Sequence, residues 1–176
     1  MQQTLLAVVA LLVFGTVALT MHQNNATAEH RAVAGDVDMA ASDIASAYLI
    51  RALGRAYDEA DTDSAAGLRI TTVGLTTELG PEAGETLADF DDIDDFHGLA
   101  TTDAISFEGT ALPFDVSVAV RYVDPADPTR TSAVPTLAKE VIVTAVERDA
   151  AGNRPPARCS LRRVVTAAGQ FFQAAP

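Results

Sequence analysis

The sequence predicts an α+β fold in which one long N-terminal α-helix packs, by its C-terminal half, on an antiparallel β-sheet. Three observations favour this fold. The first 60 residues contain no proline and combine an apolar run with an amphipathic pattern that follows it. Turn residues and acidic side chains crowd the middle of the chain. The C-terminal half alternates apolar and polar residues with a period of two, which is typical of half-buried strands.

Residues 1–25 form a hydrophobic segment, and the run from Thr4 to Met21 contains no charged side chain. About 18 apolar residues are at the lower end of what a helix needs to cross a bilayer. Three interpretations stay open: a cleaved secretory signal, a plain membrane anchor, and an anchor that also packs against copies of itself. No Lys or Arg precedes the run, which is unlike a secretory signal. We therefore expect the segment to be retained and to form a transmembrane or filament-core helix.

Helix packing in this segment would use both large and small residues. The small residues Ala7, Ala10, Gly15 and Ala18 would permit the close approach of a second helix. The larger residues that we expect to form the assembly surface are Leu5, Leu6, Val9, Leu12, Val13, Phe14 and Val17.

Residues 26–60 are predicted to continue the same helix as an amphipathic segment. Apolar residues recur at spacings of three and four and make a stripe about 100° wide. That stripe contains Val33, Val37, Ala41, Ile44, Tyr48 and Ala52, with Leu49, Leu53 and Tyr57 beside it. Gly54 costs about 1 kcal/mol relative to Ala but leaves the pattern intact. We therefore expect the helix to reach about Ala60, with its half from Ile44 to Tyr57 packed on the globular domain.

Residues 61–176 are predicted to form that globular β domain, with an acidic loop at residues 87–99. The predicted strands are Leu68–Leu79, Ile105–Phe107, Pro113–Val123, Leu137–Glu147 and Arg158–Ala167. The period of two places Phe114, Val116, Val118, Val120 and Tyr122 on one face, and Val141, Val143 and Ala145 on one face of the next strand. Those faces should cover the helix. Near the C-terminus, Phe171 and Phe172 are expected to pack against the sheet.

Charge and composition restrict the possible functions. The 176 residues carry a formal net charge of −12, and Lys139 is the only lysine. An acidic surface disfavours nucleic acid and anionic lipid headgroups as partners. His22, His30 and His97 lack the spacing of a zinc site, and no phosphate-binding loop, dinucleotide fingerprint or nucleophile elbow occurs. Because nothing suggests a catalytic pair, we expect a protein that is not an enzyme.

The acidic loop is the one candidate for a metal site. Five carboxylates occur within seven residues: Asp89, Asp91, Asp92, Asp94 and Asp95. Like charges at this density repel one another, and a hard cation such as Ca²⁺ would relieve the repulsion. The alternatives are a solvated acidic loop and aspartates that cap turns through their side chains. The run lacks the glycine and the bidentate glutamate of an EF-hand.

The layout resembles the type IV pilin and pseudopilin superfamily. Shared features are an apolar N-terminus, a continuous amphipathic helix and a C-terminal antiparallel sheet. The loop from Phe90 to Gly98, FDDIDDFHG, is similar to the Asp-Asp-Val-Asp-Asp-Tyr-Asn-Gly loop of minor pilins of the mannose-sensitive haemagglutinin type. The run from Lys139 to Thr144 resembles a sheet strand of that group. Two positions depart from the family: Leu5 stands where a glutamate is usual and His22 where a proline is common.

The resemblance implies a structural subunit of a type IV pilus-like filament, extracellular or spanning the envelope. Its partners would be copies of itself and other pilin-like subunits, with a precursor pool in the inner membrane. The alternative is a monomeric, membrane-tethered binding module that works outside the cytoplasm. No cofactor other than Ca²⁺ is expected for either.

Overall fold

The computed structural model describes residues 2–58, 72, 74–107, 109–150 and 155–167. The chain divides into two compact units, Met1–Met39 and Ala40–Pro176. Its regular elements are helix α1 (Gln2–Leu53), a 3₁₀ turn (Asp94–Phe96) and the strands β1 (Ala100–Phe107), β2 (Thr110–Tyr122), β3 (Ala138–Glu147) and β4 (Arg158–Thr166). The predicted α+β class is therefore confirmed.

The sheet of the second unit is an antiparallel meander with the strand order β1-β2-β3-β4. Burial alternates along β2, and its buried residues are the five predicted from the period of two. On β3, Val141, Val143 and Ala145 are likewise buried. Consecutive side chains of a strand point to opposite faces of the sheet. The buried residues of these two adjacent strands therefore lie on one inward face. The prediction for both central strands is confirmed.

The part of α1 that belongs to the second unit packs on this sheet. Its buried residues are mostly small, with Ala41, Ala45 and Ala52 fully covered and Ile44 only 5% exposed. Alanine at these positions keeps the buried side of the helix narrow, which suits packing on a sheet. The predicted packing of the C-terminal half of the helix is thus confirmed.

The helix ends at Leu53, earlier than the predicted end near Ala60. Gly54 donates the last helical hydrogen bond, from its N–H to the Ile50 carbonyl at 3.0 Å. Ala56 then pairs with the acidic loop: its N–H donates to the Asp91 carbonyl, and its carbonyl accepts from the Ile93 N–H, both at 3.0 Å. Because these backbone groups of Ala56 bond to the loop, they are not available for hydrogen bonds within the helix. The pairing with the loop therefore ends the helix although the apolar periodicity continues. Residues 59 and 60 lie outside the described part.

The predicted strand Leu68–Leu79 is wrong wherever the structure can test it. Residues 72 and 74–79 form turns and irregular backbone, while residues 68–71 and 73 lie outside the described part. The Thr76 N–H donates to the Asp58 carboxylate, and the Thr76 carbonyl accepts from the Tyr122 hydroxyl at 2.9 Å. The Thr76 backbone groups therefore form hydrogen bonds with side chains and not with the backbone of a neighbouring strand. The predicted contacts of Phe171 and Phe172 also fall outside the described residues.

Candidate functional site

The first unit presents apolar side chains to solvent. Six of the seven residues predicted for assembly have described side chains, and these are 50–75% exposed: Leu6, Val9, Leu12, Val13, Phe14 and Val17. The side chain of Leu5 lies outside the described part. We call these six residues the N-terminal apolar surface. Apolar side chains this exposed favour any arrangement that removes them from water.

The apolar character runs around the whole helix in this region. Leu11 is 72% exposed, so four consecutive residues from Leu11 to Phe14 are exposed large hydrophobics, and Leu19 and Met21 continue the pattern. Four consecutive residues cover every side of an α-helix. At Gly15 an added Cβ would meet nothing within 4 Å. A helix that is apolar on all sides needs cover on all sides. Among the residues that the structure describes, no helix is long and apolar enough to cross a membrane.

In the second unit, the aspartates of the acidic loop are used largely as backbone caps. The Asp92 Oδ1 atom accepts from the N–H groups of Asp94 at 2.6 Å and Asp95 at 3.2 Å. The Asp95 Oδ2 atom accepts from the N–H groups of Asp91 at 2.9 Å and Asp92 at 3.2 Å. These reciprocal bonds fold the loop into the 3₁₀ turn. This is the turn-capping arrangement that the sequence left open beside the metal hypothesis.

The five predicted metal ligands therefore lie in different surroundings. Asp89 is exposed and caps Thr86, whose N–H and hydroxyl both donate to its Oδ2 atom. Asp91 is exposed, whereas Asp92, Asp94 and Asp95 are buried. Among the described residues, one group of acidic side chains brings its oxygens within 4.8 Å of one another, and it combines Asp95 with Glu82 and Glu85.

Asp94 instead belongs to a buried ionic cluster around the only lysine. The Lys139 ammonium is completely buried and donates to the Asp58 Oδ2 atom at 3.0 Å and to the Tyr57 carbonyl at 2.6 Å. It also bonds the Asp94 Oδ1 atom. Its Nζ lies 4.5 Å from the ring centroid of Tyr57 and 5.2 Å from that of Tyr122. We call these five residues the Lys139 centre; they join the end of the helix, the acidic loop and two strands.

Asp94 is the least satisfied carboxylate of the Lys139 centre. Among the described contacts, the Lys139 ammonium is shared by two buried carboxylates, and the Asp94 Oδ2 atom accepts no hydrogen bond. Burial raises the pKa of Asp94 to about 7 against the opposing effect of Lys139. Burial, together with the neighbouring Asp95, raises the pKa of Asp92 to about 6. Burial also raises the pKa values of Tyr57 and Tyr122, so both phenols stay neutral donors.

Stability should therefore fall as the pH rises from about 5 to about 8. Because the folded-state pKa of Asp94 lies above the unfolded value, the native state binds the extra proton, and its contribution is lost as the pH passes the folded pKa near 7. The slope is at most about 1.4 kcal/mol per pH unit for one group. Urea unfolding across this range checks the sign. In Asp94→Asn the slope should flatten; an unchanged slope would assign the effect to other groups.

Lys139 and Glu140 are buried, which was not predicted from the sequence. Lys139 stands two residues before Val141, so the period of two already places it on the apolar face of β3. Glu140 lies on the other face, where Arg121 and Arg162 cover it through ion pairs. The signal for the burial of Lys139 was therefore a charged residue at a position that the period of two assigns to the buried face of the strand. The covering arginines of Glu140 come from neighbouring strands, which only the sheet register reveals.

His97 has a structural role at the end of the acidic loop. Its Nδ1 atom accepts from the Val120 N–H at 3.2 Å, and the next residue, Gly98, donates to the Val118 carbonyl at 3.1 Å. These bonds extend the pairing along the edge of β2 beyond β1. Gly98 has a φ of +77°, a left-handed conformation that favours glycine.

The Lys139 centre is sealed from solvent, so it serves stability rather than ligand binding. Lys139, Asp58 and Asp94 are each at most 2% exposed. Two exposed features of the described residues could meet a partner: the N-terminal apolar surface, and the group of carboxylates formed by Glu82, Glu85 and Asp95. Comparison with known proteins adds no assignment, because no family model, no curated protein and no solved structure matches this chain.

Proposed function

We propose that this protein is a structural subunit of a type IV pilus-like filament, assembled through its N-terminal helix. The observation that carries the proposal is the N-terminal apolar surface. Its residues belong to a helix that is regular from Gln2 onwards, and no charged side chain precedes Glu29. An apolar rod of this kind suits a core in which many copies pack side by side.

The energy available from such packing is large. Complete burial of a Leu, Val or Phe side chain contributes about 1.5–3 kcal/mol. The six side chains of the N-terminal apolar surface, already half buried at most, could therefore offset an association cost of about 4–15 kcal/mol. Residues 2–28 of the helix, which carry no charged side chain, span about 40 Å, and this length gives room for contacts with several neighbours. Small residues such as Gly15 and Ala18 let neighbouring backbones approach closely.

A filament also agrees with the sidedness of the charge. All charged side chains follow residue 28, and the net charge of −12 belongs to the later part of the chain. Apolar helices at the centre and acidic domains on the outside would keep the assembly in solution. Each helix would contact its neighbours through non-equivalent surfaces, and such contacts give a helical filament when the rotation between copies does not close a ring.

Removal of residues 1–20 tests the proposal directly. The full chain should form regular filaments a few nanometres wide in negative-stain electron microscopy. The truncated chain should remain a soluble monomer in sedimentation, since it lacks the whole N-terminal apolar surface. Circular dichroism and a thermal melt of the truncated chain control for folding of the second unit.

Two outcomes would contradict the filament. Filaments that persist after truncation would place the assembly contacts elsewhere. A full chain that stays monomeric when reconstituted in vesicles would favour the membrane-tethered binding module instead.

A further inference from the structure

A β-turn in the second unit brings two glutamates together. The Glu85 N–H donates to the Glu82 carbonyl at 3.2 Å, which closes the turn over Ala83 and Gly84. Gly84 has a φ of +101°, as the third residue of a type II turn requires. The Glu82 N–H donates in return to the Glu85 Oε2 atom at 3.1 Å. The first and last residues of the turn therefore carry carboxylates that converge on one side.

Asp95 supplies a third carboxylate from the 3₁₀ turn. One oxygen from each of Glu82, Glu85 and Asp95 lies within 4.8 Å of the other two. Asp95 is only 1% exposed, and its Oδ2 atom already accepts two backbone N–H groups. Its Oδ1 atom is buried and accepts no hydrogen bond. A buried carboxylate oxygen without a donor is costly, which is the independent sign that a ligand belongs here.

We propose that Glu82, Glu85 and Asp95 bind a divalent cation of the Ca²⁺ type. All three ligand atoms are oxygens, the donors that hard cations prefer, and the group has neither the nitrogen nor the sulfur ligands of a typical zinc site. Oxygens that lie within 4.8 Å of one another can contact one cation, because the oxygens around Ca²⁺ lie about 2.3–2.6 Å from it.

The burial of the three residues sets how the cation would bind. Glu82 is exposed, Glu85 is half-buried and Asp95 is buried, so the site opens to solvent on the side of the turn. Water would complete the six to eight ligands that Ca²⁺ takes. An open site with three protein ligands should bind in the range of about 0.1–1 mM, like extracellular Ca²⁺ modules.

The site would join two segments that are otherwise separate in sequence. Residues 82–85 form a turn ahead of the acidic loop, and Asp95 lies in the 3₁₀ turn that bonds with the backbone of its neighbours. A bound cation would hold these segments together. This inference is independent of filament assembly, since all three ligands lie in the second unit and none belongs to the N-terminal apolar surface.

Calorimetric titration of the full chain with CaCl₂, with MgCl₂ at equal ionic strength as a comparison, tests the site. Native protein should bind one Ca²⁺ in the millimolar range or tighter and melt a few degrees higher in its presence. In the double variant Glu82→Gln and Glu85→Gln, the affinity should fall at least tenfold. Both substitutions are close in shape to the native side chains and lie outside the core, so the fold should persist.

The matched control is Asp91→Asn, an exposed carboxylate of the same loop outside the group. It should bind Ca²⁺ as the native chain does. The inference is overturned if native protein shows no calorimetric or melting response to 5 mM CaCl₂, about five times the upper limit expected. It is equally overturned if Asp91→Asn abolishes the response while the double glutamine variant keeps it, because the five-aspartate site would then be the correct one.

Discussion

Replacement of Lys139 by methionine should lower the free energy of unfolding by about 3–5 kcal/mol, the usual loss when one partner of a buried ion pair is removed. Methionine fills a similar volume, so the expected loss is electrostatic rather than a cavity effect. The Asp58 and Asp94 carboxylates would remain buried without their cation, and the Tyr57 carbonyl would lose its donor. Equilibrium urea unfolding at pH 7 measures the change.

Two further variants separate the charge from the packing. Arg163→Met on β4 replaces an exposed cation that lies opposite Val141 in the register, and it should change stability by no more than about 0.5 kcal/mol. Adding Asp94→Asn to Lys139→Met removes one of the two stranded carboxylates and should restore part of the loss. If Lys139→Met costs less than about 1 kcal/mol, the charges of the centre are solvated and the assigned burial is wrong.

The two central strands were predictable because their information is local. Along β2, five large apolar residues alternate with polar or small ones, and a period of two has one interpretation when the run is long. The apolar start of α1 was equally clear from its composition. The end of α1 was not, because Gly54 leaves the periodicity intact and only the pairing of Ala56 with the acidic loop stops the helix. That loop lies more than 30 residues further along the chain, and no local rule anticipates the contact.

The acidic loop shows the same limit for a candidate site. Its five aspartates are close in sequence, yet backbone N–H groups take up the Asp92 Oδ1 and Asp95 Oδ2 atoms, and Lys139 takes up Asp94. The crowding of aspartates in the sequence indicated repulsion between their charges. The fold, however, supplies hydrogen-bond donors to many of these carboxylate oxygens. The carboxylates that converge with Asp95 come from a turn ten or more residues earlier. Proximity in sequence was a poor guide to proximity in space, since each turn redirects its side chains.

A single charge on the N-terminal apolar surface should weaken assembly about a hundredfold. Val13 is 57% exposed and lies within the uncharged part of the helix, so Val13→Asp would carry a carboxylate into the proposed apolar core. An aspartate in such surroundings costs about 2.5–3.5 kcal/mol on membrane insertion scales. At about 1.4 kcal/mol for each factor of ten, the concentration needed for filaments should rise about a hundredfold or more. Pelleting assays over a concentration series measure this threshold.

The chain provides a closely matched control in Val33. It is 48% exposed on the same helix, but Glu29 and Asp36 flank it, so its surroundings are already hydrated. Val33→Asp makes the same chemical change and should leave the threshold within about twofold of the native value, because no apolar contact is lost. The pair of variants distinguishes burial of the first part of the helix from a general effect of added negative charge. Equal shifts in both variants would mean that repulsion between acidic chains, rather than the packing of apolar helices, limits assembly.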